Sequence, residues 1–334
     1  MTVSVVVPCY NAEPYLAQTV NSVLEQTRPP DEVIVVNDGS TDGSLAIAES
    51  FGGRVRVLSE RSGSASRTRI YGASVATGDA LMFLDADDVL GPAALAALVS
   101  ALERHPGSVA SCPWYRLEQR DGLWVRRPPS CKPRRPGQDA LEAWIDGWYR
   151  PPCSVLWSRS AYERAGGWDP APSPNDDGDL MMRALVRGVP LHLTDRGSAF
   201  YRRLPEGAAS LSGERLTRDG LEAWVGGIAR IGRMLEERGR LGPYRRALGD
   251  AFGRLAEDAA PYPDLAAVCA GHRRRFGDPQ WKSAVRGLRE GVRARVGAAR
   301  RRAGRLAGGP SAGAAAPPRE SLEEVRFGLE TASP

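Results

Sequence analysis

The chain has 334 residues, 42% of them hydrophobic and 25% charged, with a net charge of +5. That length supports one large α/β domain or two smaller ones, and no apolar run is long enough to cross a bilayer. The positive charge is almost all arginine, with lysine only at Lys132 and Lys282; beside abundant Ala, Gly and Pro it reads as GC-rich coding bias rather than a nucleic-acid footprint.

Val3–Val7 is a short β-branched run halted by Pro8 and predicts a buried strand. No charged segment and apolar signal core precede it. Leu16, Val20, Val23 and Leu24 then fall at helical spacing behind Pro14. Glu32–Val36 is the next strand, followed by a helix that Ser40 or Asp42 can cap. Val55–Leu58 (strand), Ser66–Ala76 (helix), Ala80–Leu84 (strand) and Pro92–Leu102 (helix) continue the rhythm. Residues 119–152, rich in Arg, Pro, Gly, Trp and Tyr, read as irregular structure contributing acceptor contacts. Ser154–Trp157 is a strand and Asp176–Val186 a helix; Leu216–Arg238 and Tyr244–Asp258 are C-terminal helices. From about Gly308 onward Gly, Ala and Pro dominate and predict a disordered tail.

The βαβα rhythm predicts a doubly wound, mostly parallel sheet. Polar clusters follow three of its strands: Tyr10-Asn11, Asn37-Asp38-Gly39-Ser40 and Asp85-Ala86-Asp87-Asp88. Ligands of open α/β sheets bind outside the carboxyl ends of the strands, so the clusters form one candidate site. Three carboxylates in four residues repel one another unless a cation compensates. Mg²⁺ or Mn²⁺ would do so by bridging them to substrate phosphates; the alternative is a solvated turn capping the helix at Pro92. Asp38 can accept a uracil imide N–H or ribose hydroxyls, or it can simply shape its loop as an Asx-turn.

With VSVVVPCYNAEPYL, EVIVVNDGSTDGS, Arg69 with Gly72, ATGDALMFLDADD, Arg164-Ala165-Gly166-Gly167-Trp168-Asp169 and Asn175-Asp176-Asp177-Gly178-Asp179-Leu180 in order, residues 2–205 resemble the family 2 glycosyltransferases of GT-A (Rossmann-like) fold. The resemblance implies inverting, non-processive transfer from a nucleotide sugar, UDP- or dTDP-linked, to an acceptor hydroxyl. Pro8, Tyr10 and Asp38 would hold the base, Tyr10 by stacking. Asp85 would contact the ribose, and Asp87, with Asp85, would hold a divalent metal on the diphosphate. Arg69 would lie near the nucleotide, Gly167, Trp168 and Asp176 on the acceptor side, and Asp177 would be the general base. Capping of the helix by Asp176 or Asp177 is the alternative for that pair.

The sequence departs from the family pattern in three places. Ile70 stands where Asn is common after the arginine. Asp176 and Gly178 replace a usual Glu and aromatic. No His follows Tyr201-Arg202, which removes a metal or phosphate contact and leaves Arg202 or Arg203 to supply positive charge to the diphosphate.

The remaining features are less specific. Cys9, Cys112, Cys131, Cys153 and Cys269 are scattered and odd in number, which speaks against disulfides or zinc and for a reducing cytoplasm. His105, His192 and His272 are isolated. Trp114, Trp144, Trp148 and Trp157 serve either sugar stacking or core packing. Val285, Leu288, Val292 and Val296 make an apolar stripe in an arginine-rich segment, which is either a solvated helix or a peripheral contact with the inner face of a membrane. The expected organisation is a GT-A domain over 1–205 (nucleotide-sugar half 1–115, acceptor half 116–205), a helical C-terminal region over 206–306 and a disordered tail over 307–334. The partners expected are a nucleotide sugar and a hydroxyl-bearing acceptor, with no nucleic acid. Three readings compete with transfer: a catalytically weak nucleotide-sugar-binding protein of the same fold, a nucleotidyltransferase, which CYNAEPYL disfavours for lack of a Gly-rich, lysine-bearing loop, and a nucleic-acid binder resting on the basic tail alone.

Overall fold

A computed structural model describes residues 1–171, 173–204 and 215–277. Strands β1 (Val3–Cys9), β2 (Glu32–Asn37), β3 (Arg56–Ser59) and β4 (Ala80–Phe83) alternate with helices α1 (Leu16–Leu24), α2 (Ser44–Ser50) and α3 (Ala65–Val75). Then come β5 (Val89–Leu90), α4 (Ala94–Arg104), β6 (Val109–Ser111), β7 (Trp114–Arg120), β8 (Leu123–Arg127), α5 (Ala140–Ile145), β9 (Val155–Ser158) and α6 (Arg159–Ala165). The described chain ends with α7 (Asp176–Val186), β10 (Leu191–Leu193), β11 (Ala199–Arg203), α8 (Arg218–Glu237), α9 (Arg245–Asp258) and α10 (Pro263–Phe276).

Seven strands form the main sheet in the order β10-β6-β9-β4-β1-β2-β3. It is parallel except for β9, which runs antiparallel to both β4 and β6. A second sheet, β5-β11-β7-β8, stands beside it. The two-residue period of the strands sorts their side chains into two cores. Val3, Val5 and Val7 face one hydrophobic cluster with α1 and α4. Val6, Ile34, Val36, Leu81 and Phe83 face the other, which continues through α7 into α8, α9 and α10.

Two expectations are corrected. Pro8 does not end the first strand, which runs on to Cys9. In that strand Val6 accepts from Leu84 N–H on the β4 side. Pro8, two residues on, faces the same side beyond the last β4 pair, where its missing N–H breaks no ladder bond. Nor is 119–152 irregular: β7 and β8 form a hairpin and Ala140–Ile145 a helix. The hairpin turns at Asp121-Gly122, both at positive φ (50° and 77°), as a primed two-residue turn requires. Asp139 caps the helix by accepting from Leu141 and Glu142 N–H. The 206–306 region and the 307–334 tail are described only as far as Phe276-Gly277; the Val285–Val296 stripe and the tail lie outside the described residues. Among the described residues no helix is long and apolar enough to cross a membrane.

The four tryptophans are all core residues. The histidines are not isolated: His105 and His192 stack face to face with ring centroids 3.7 Å apart, and His272 stacks on Phe252.

Gly72 sets the approach of α3 to the sheet, because a Cβ there would lie 2.3 Å from Val6 Cγ1 and 3.2 Å from Val36 Cγ2. Gly72→Val is expected to destabilise the protein by about 1–3 kcal/mol through overpacking, read as a lower urea midpoint at unchanged slope.

Candidate active site

The β1–β2 register sets Cys9 opposite Asn37, so Tyr10 and Asp38 leave the sheet side by side. Tyr10 is 59% exposed and its ring is open for stacking. Asp38 is occupied. Its Oδ1 accepts from Ser62 and Gly63 N–H, and its Oδ2 from Ser64 N–H and the Ser62 hydroxyl. Four donors on two oxygens make Asp38 the anchor of the 62–64 loop, and a base imide would have to displace one of them. Pro8 lies half-buried near the end of β1.

At the end of β4, Asp85 to Asp88 form a turn closed by Asp88 N–H to Asp85 C=O. This is not the solvated cap that the sequence also allowed. Asp88 is fully buried and accepts from Arg202 N–H at 2.8 Å, tying the turn to β11. Burial, then Asp87 and Asp85, pushes its carboxyl well above the usual range. Asp87 is pushed up to about 7, first by burial and next by the charge of Asp85.

Arg69 crosses from α3 beneath both acidic motifs. One amino group donates to Asp85 at 2.6 Å and the other to Asp176 at 2.7 Å. Its guanidinium lies 4.6 Å from the Trp168 ring centroid. Burial works against the charge, but Asp85 and Asp176 outweigh it and hold Arg69 above its ordinary pKa. It is therefore a strut between the motifs.

The three acids at the start of α7 have separate partners. Asp176 is 7% exposed and also accepts from the Ser66 hydroxyl. Asp179 pairs with Arg183 at 2.7 Å, and Arg183 also donates to the carbonyls of Ala165 and Gly167. That locks α7 onto the end of α6, where Gly166 and Gly167 take positive φ to turn the chain toward Trp168. Among the described residues Asp177 forms no ion pair, and its carboxylate accepts from Gly178 N–H. It faces a narrow pocket walled by Phe83, Trp144, Trp157, Trp168, Leu180 and Met181. Burial, then the Asp176 charge, pushes it up to about 7. The helix N-cap is Asn175, so neither Asp176 nor Asp177 is the cap.

A hard divalent cation fits the Asp85–Asp87 end of this site. Two carboxylates, one of them pushed up to about 7 by burial and by the charge of the other, match an ion that draws its other ligands from phosphate and water. Among the described residues no third His, Cys, Asp or Glu closes a coordination shell.

Reading the sequence alone missed Ser62 to Ser64 as the partners of Asp38, the Arg69 double bridge, and the setting of Arg202. Arg202 lies buried between Tyr15 and Trp124, its guanidinium carbon 4.8 Å from each ring centroid. A cation on β11, the strand beside the hairpin, has no local signal; only the pairing of β11 with β7 brings Trp124 of β8 to it. Trp168 is buried and Gly167 half-buried. Arg203 is exposed at the end of the strand.

Residues 4–165 match the family model for Glycosyl transferase family 2. The chain is similar to the uncharacterized glycosyltransferase EpsJ of Bacillus subtilis, 33% identical over 136 residues, which are 40% of this chain and 39% of EpsJ. It is similar to the glycosyltransferase GlyG of Streptococcus pneumoniae, 36% identical over 124 residues, 36% of this chain and 41% of GlyG. The chain thus spans about two fifths of these relatives. The crystal structure of Staphylococcus aureus TarS 1-349 in complex with UDP-GlcNAc superposes with a TM-score of 0.55 at 18% identity, covering 83% of this chain and 93% of that one. The fold is the GT-A fold.

Arg69→Met leaves the buried Asp176 and the half-buried Asp85 without their counter-ion. It is expected to cost about 3–5 kcal/mol of stability, measured by urea unfolding at pH 7.5.

Proposed function

We propose that this protein is an inverting glycosyltransferase. It moves a sugar from a nucleotide-sugar donor, UDP- or dTDP-linked, to an acceptor hydroxyl, with Asp177 as general base. The observation that carries the reading is the division of labour in α7. Asp176 and Asp179 are tied to arginines, and Asp177 alone is unpaired, walled by aromatic side chains and poised near neutrality. The family match over 4–165 and the UDP-GlcNAc and UDP complexes of TarS support a nucleotide-sugar donor.

On this reading Tyr10 stacks on the base and Pro8 walls its slot. Asp38 holds the loop that frames it, and offers the base an acceptor only by releasing one loop bond. Asp85 is kept in position by Arg69 and reaches the ribose. Asp87 and Asp85 would hold a Mg²⁺ or Mn²⁺ ion, which supplies positive charge against the departing diphosphate. Trp168 and Gly167 shape the acceptor side. Asp177 takes the acceptor proton as the oxygen attacks the anomeric carbon from the face opposite the diphosphate, which inverts the configuration. The water-poor pocket raises the basicity of Asp177 without removing it from reach.

Asp177→Asn is expected to lower kcat by about 10²–10⁴ with donor affinity retained, assayed by mass detection of transfer or hydrolysis with UDP- and dTDP-sugars. Asp176→Asn and Asp179→Asn should keep more activity but lose stability. Full activity in Asp177→Asn with a dead Asp179→Asn moves the base by two residues and overturns the assignment.

The pH dependence has a definite sign. The base acts only when ionised, so kcat/KM of the wild type should fall about tenfold per unit below pH 7. The raised folded pKa means the folded state binds more protons than the unfolded chain between about pH 4 and 7. Stability therefore declines as pH rises through that window, and Asp177→Asn should melt higher than wild type at pH 8.

Asp87→Ala should abolish turnover with the fold intact. Full wild-type activity in EDTA, or an active Asp87→Ala protein, removes the metal from the scheme.

A further inference from the structure

A groove of about 480 Å³ opens between the end of α6, the outer face of α7 and the last turns of α8. That is room for a small ligand. Trp168 stands in its wall and also in the wall of the Asp177 pocket, so the two openings adjoin across one side chain. The charged lining is Arg183, Arg187, Arg230 and Arg238 against Asp169 and Glu237. Two of these arginines are already matched, Arg183 by Asp179 and Arg230 by Asp169. Arg187 and Arg238 form no ion pair among the described residues, and Glu237 is the lining acid left to face them.

Arg187 is held in place from behind. Its Nη1 donates to the carbonyls of Arg164 at 3.2 Å and Ala165 at 2.5 Å, at the C-terminus of α6. Gly166 makes room for it, because a Cβ there would lie 2.5 Å from that same Nη1. Burial, then the charges of Arg183 and Arg238, holds Arg187 below its ordinary pKa. A helix C-terminus favours a nearby cation, but Arg183 already serves this one through Ala165 and Gly167. The helix end therefore does not account for a second arginine, nor for Arg238 brought to it from just beyond α8. Like charges gathered around open volume are destabilising until an anion arrives, and forked guanidinium groups match the oxygens of phosphate.

We propose that this groove binds the phosphate of a phosphorylated acceptor through Arg187 and Arg238, while the acceptor's hydroxyl passes Trp168 to reach Asp177. The inference rests on the transfer reading above and deepens it by naming the acceptor class. The carbonyls behind Arg187 preset its fork, so little side-chain freedom is lost when phosphate binds.

The test is calorimetric titration of the full chain with glucose 6-phosphate and with glucose, in saturating UDP and Mg²⁺ so that the donor's own phosphate contacts are filled. Glucose 6-phosphate is expected to bind more tightly than glucose, and less tightly as salt rises. The Arg187→Gln/Arg238→Gln double variant should lose about tenfold or more of that affinity, with UDP affinity unchanged. Arg187→Lys, which keeps the charge and loses the fork, should fall between. Arg238 is exposed with a single bond to the Met234 carbonyl, so Arg238→Gln carries the test if Arg187→Gln does not fold. In transfer assays with paired phosphorylated and neutral sugars, the double variant should raise KM for the phosphorylated acceptor and keep kcat and donor hydrolysis. Equal binding of glucose and glucose 6-phosphate, or wild-type affinity in the double variant, overturns the groove and leaves the transfer reading standing. Sedimentation with phosphatidylcholine vesicles containing phosphatidylglycerol, lost in the double variant, without glucose 6-phosphate binding, assigns the groove to a lipid headgroup and overturns the acceptor role. No binding of UDP or dTDP by wild type sinks the donor reading, and the acceptor role with it.

Discussion

Arg69 links two acids that are 91 positions apart in the chain, Asp85 and Asp176, and the rest of the site is arranged around its two ion pairs. One carboxylate comes from the turn after β4, the other from the first turn of α7. The guanidinium is planar and forked, so satisfying both acids fixes the angle between those elements as well as their distance. Trp168 covers it and excludes water, which strengthens both pairs. Isolated buried ion pairs are weak devices for stability. This one earns its place by geometry, since it sets the acid turn against the start of α7 without using Asp87 or Asp177.

Asp87 and Asp177 share one condition, burial beside a second carboxylate with no ion pair of their own among the described residues. Asp87 and Asp177 both rise to about 7 for that reason, each with a second carboxylate as the next cause. A folded protein tolerates such groups at the expense of stability, and they concentrate where chemistry is done. Asp88 carries the same burden for structure, its carboxyl raised by burial and wedged between β11 and the turn.

Much of the frame was legible in the residues. The valine run of β1, the alternation through Leu24 and the acid cluster after LMFL led to the sheet and to the strand ends where the acids gather. The hairpin was legible as well and was passed over: Asp121-Gly122 between two runs rich in Trp, Tyr, Leu and Val is a turn signal, hidden by the arginines around it. Other features depend on contacts across the chain. Nothing local in Asp38 tells that Ser62, Gly63 and Ser64 will consume its lone pairs, because both base binding and loop shaping call for the same residue after the same strand. The stacking of His105 on His192 arises from β10 pairing with β6, a contact between residues 87 positions apart. Asp176, Asp177 and Asp179 look alike in sequence; arginines from α3 and from α7 itself distinguish them.

The two sheets leave β3, β10, β5 and β8 as outer strands. An outer strand offers unpaired backbone groups to any passing chain, and proteins that must stay dispersed defend it. Here the arginines do so. Arg56 opens β3, and Arg126 and Arg127 close β8, each a bulky charge that a docking strand would have to desolvate. β10 and β5 are only three and two residues long, too short to template another ladder. Arginines at these outer strands therefore stand against the addition of a further strand there.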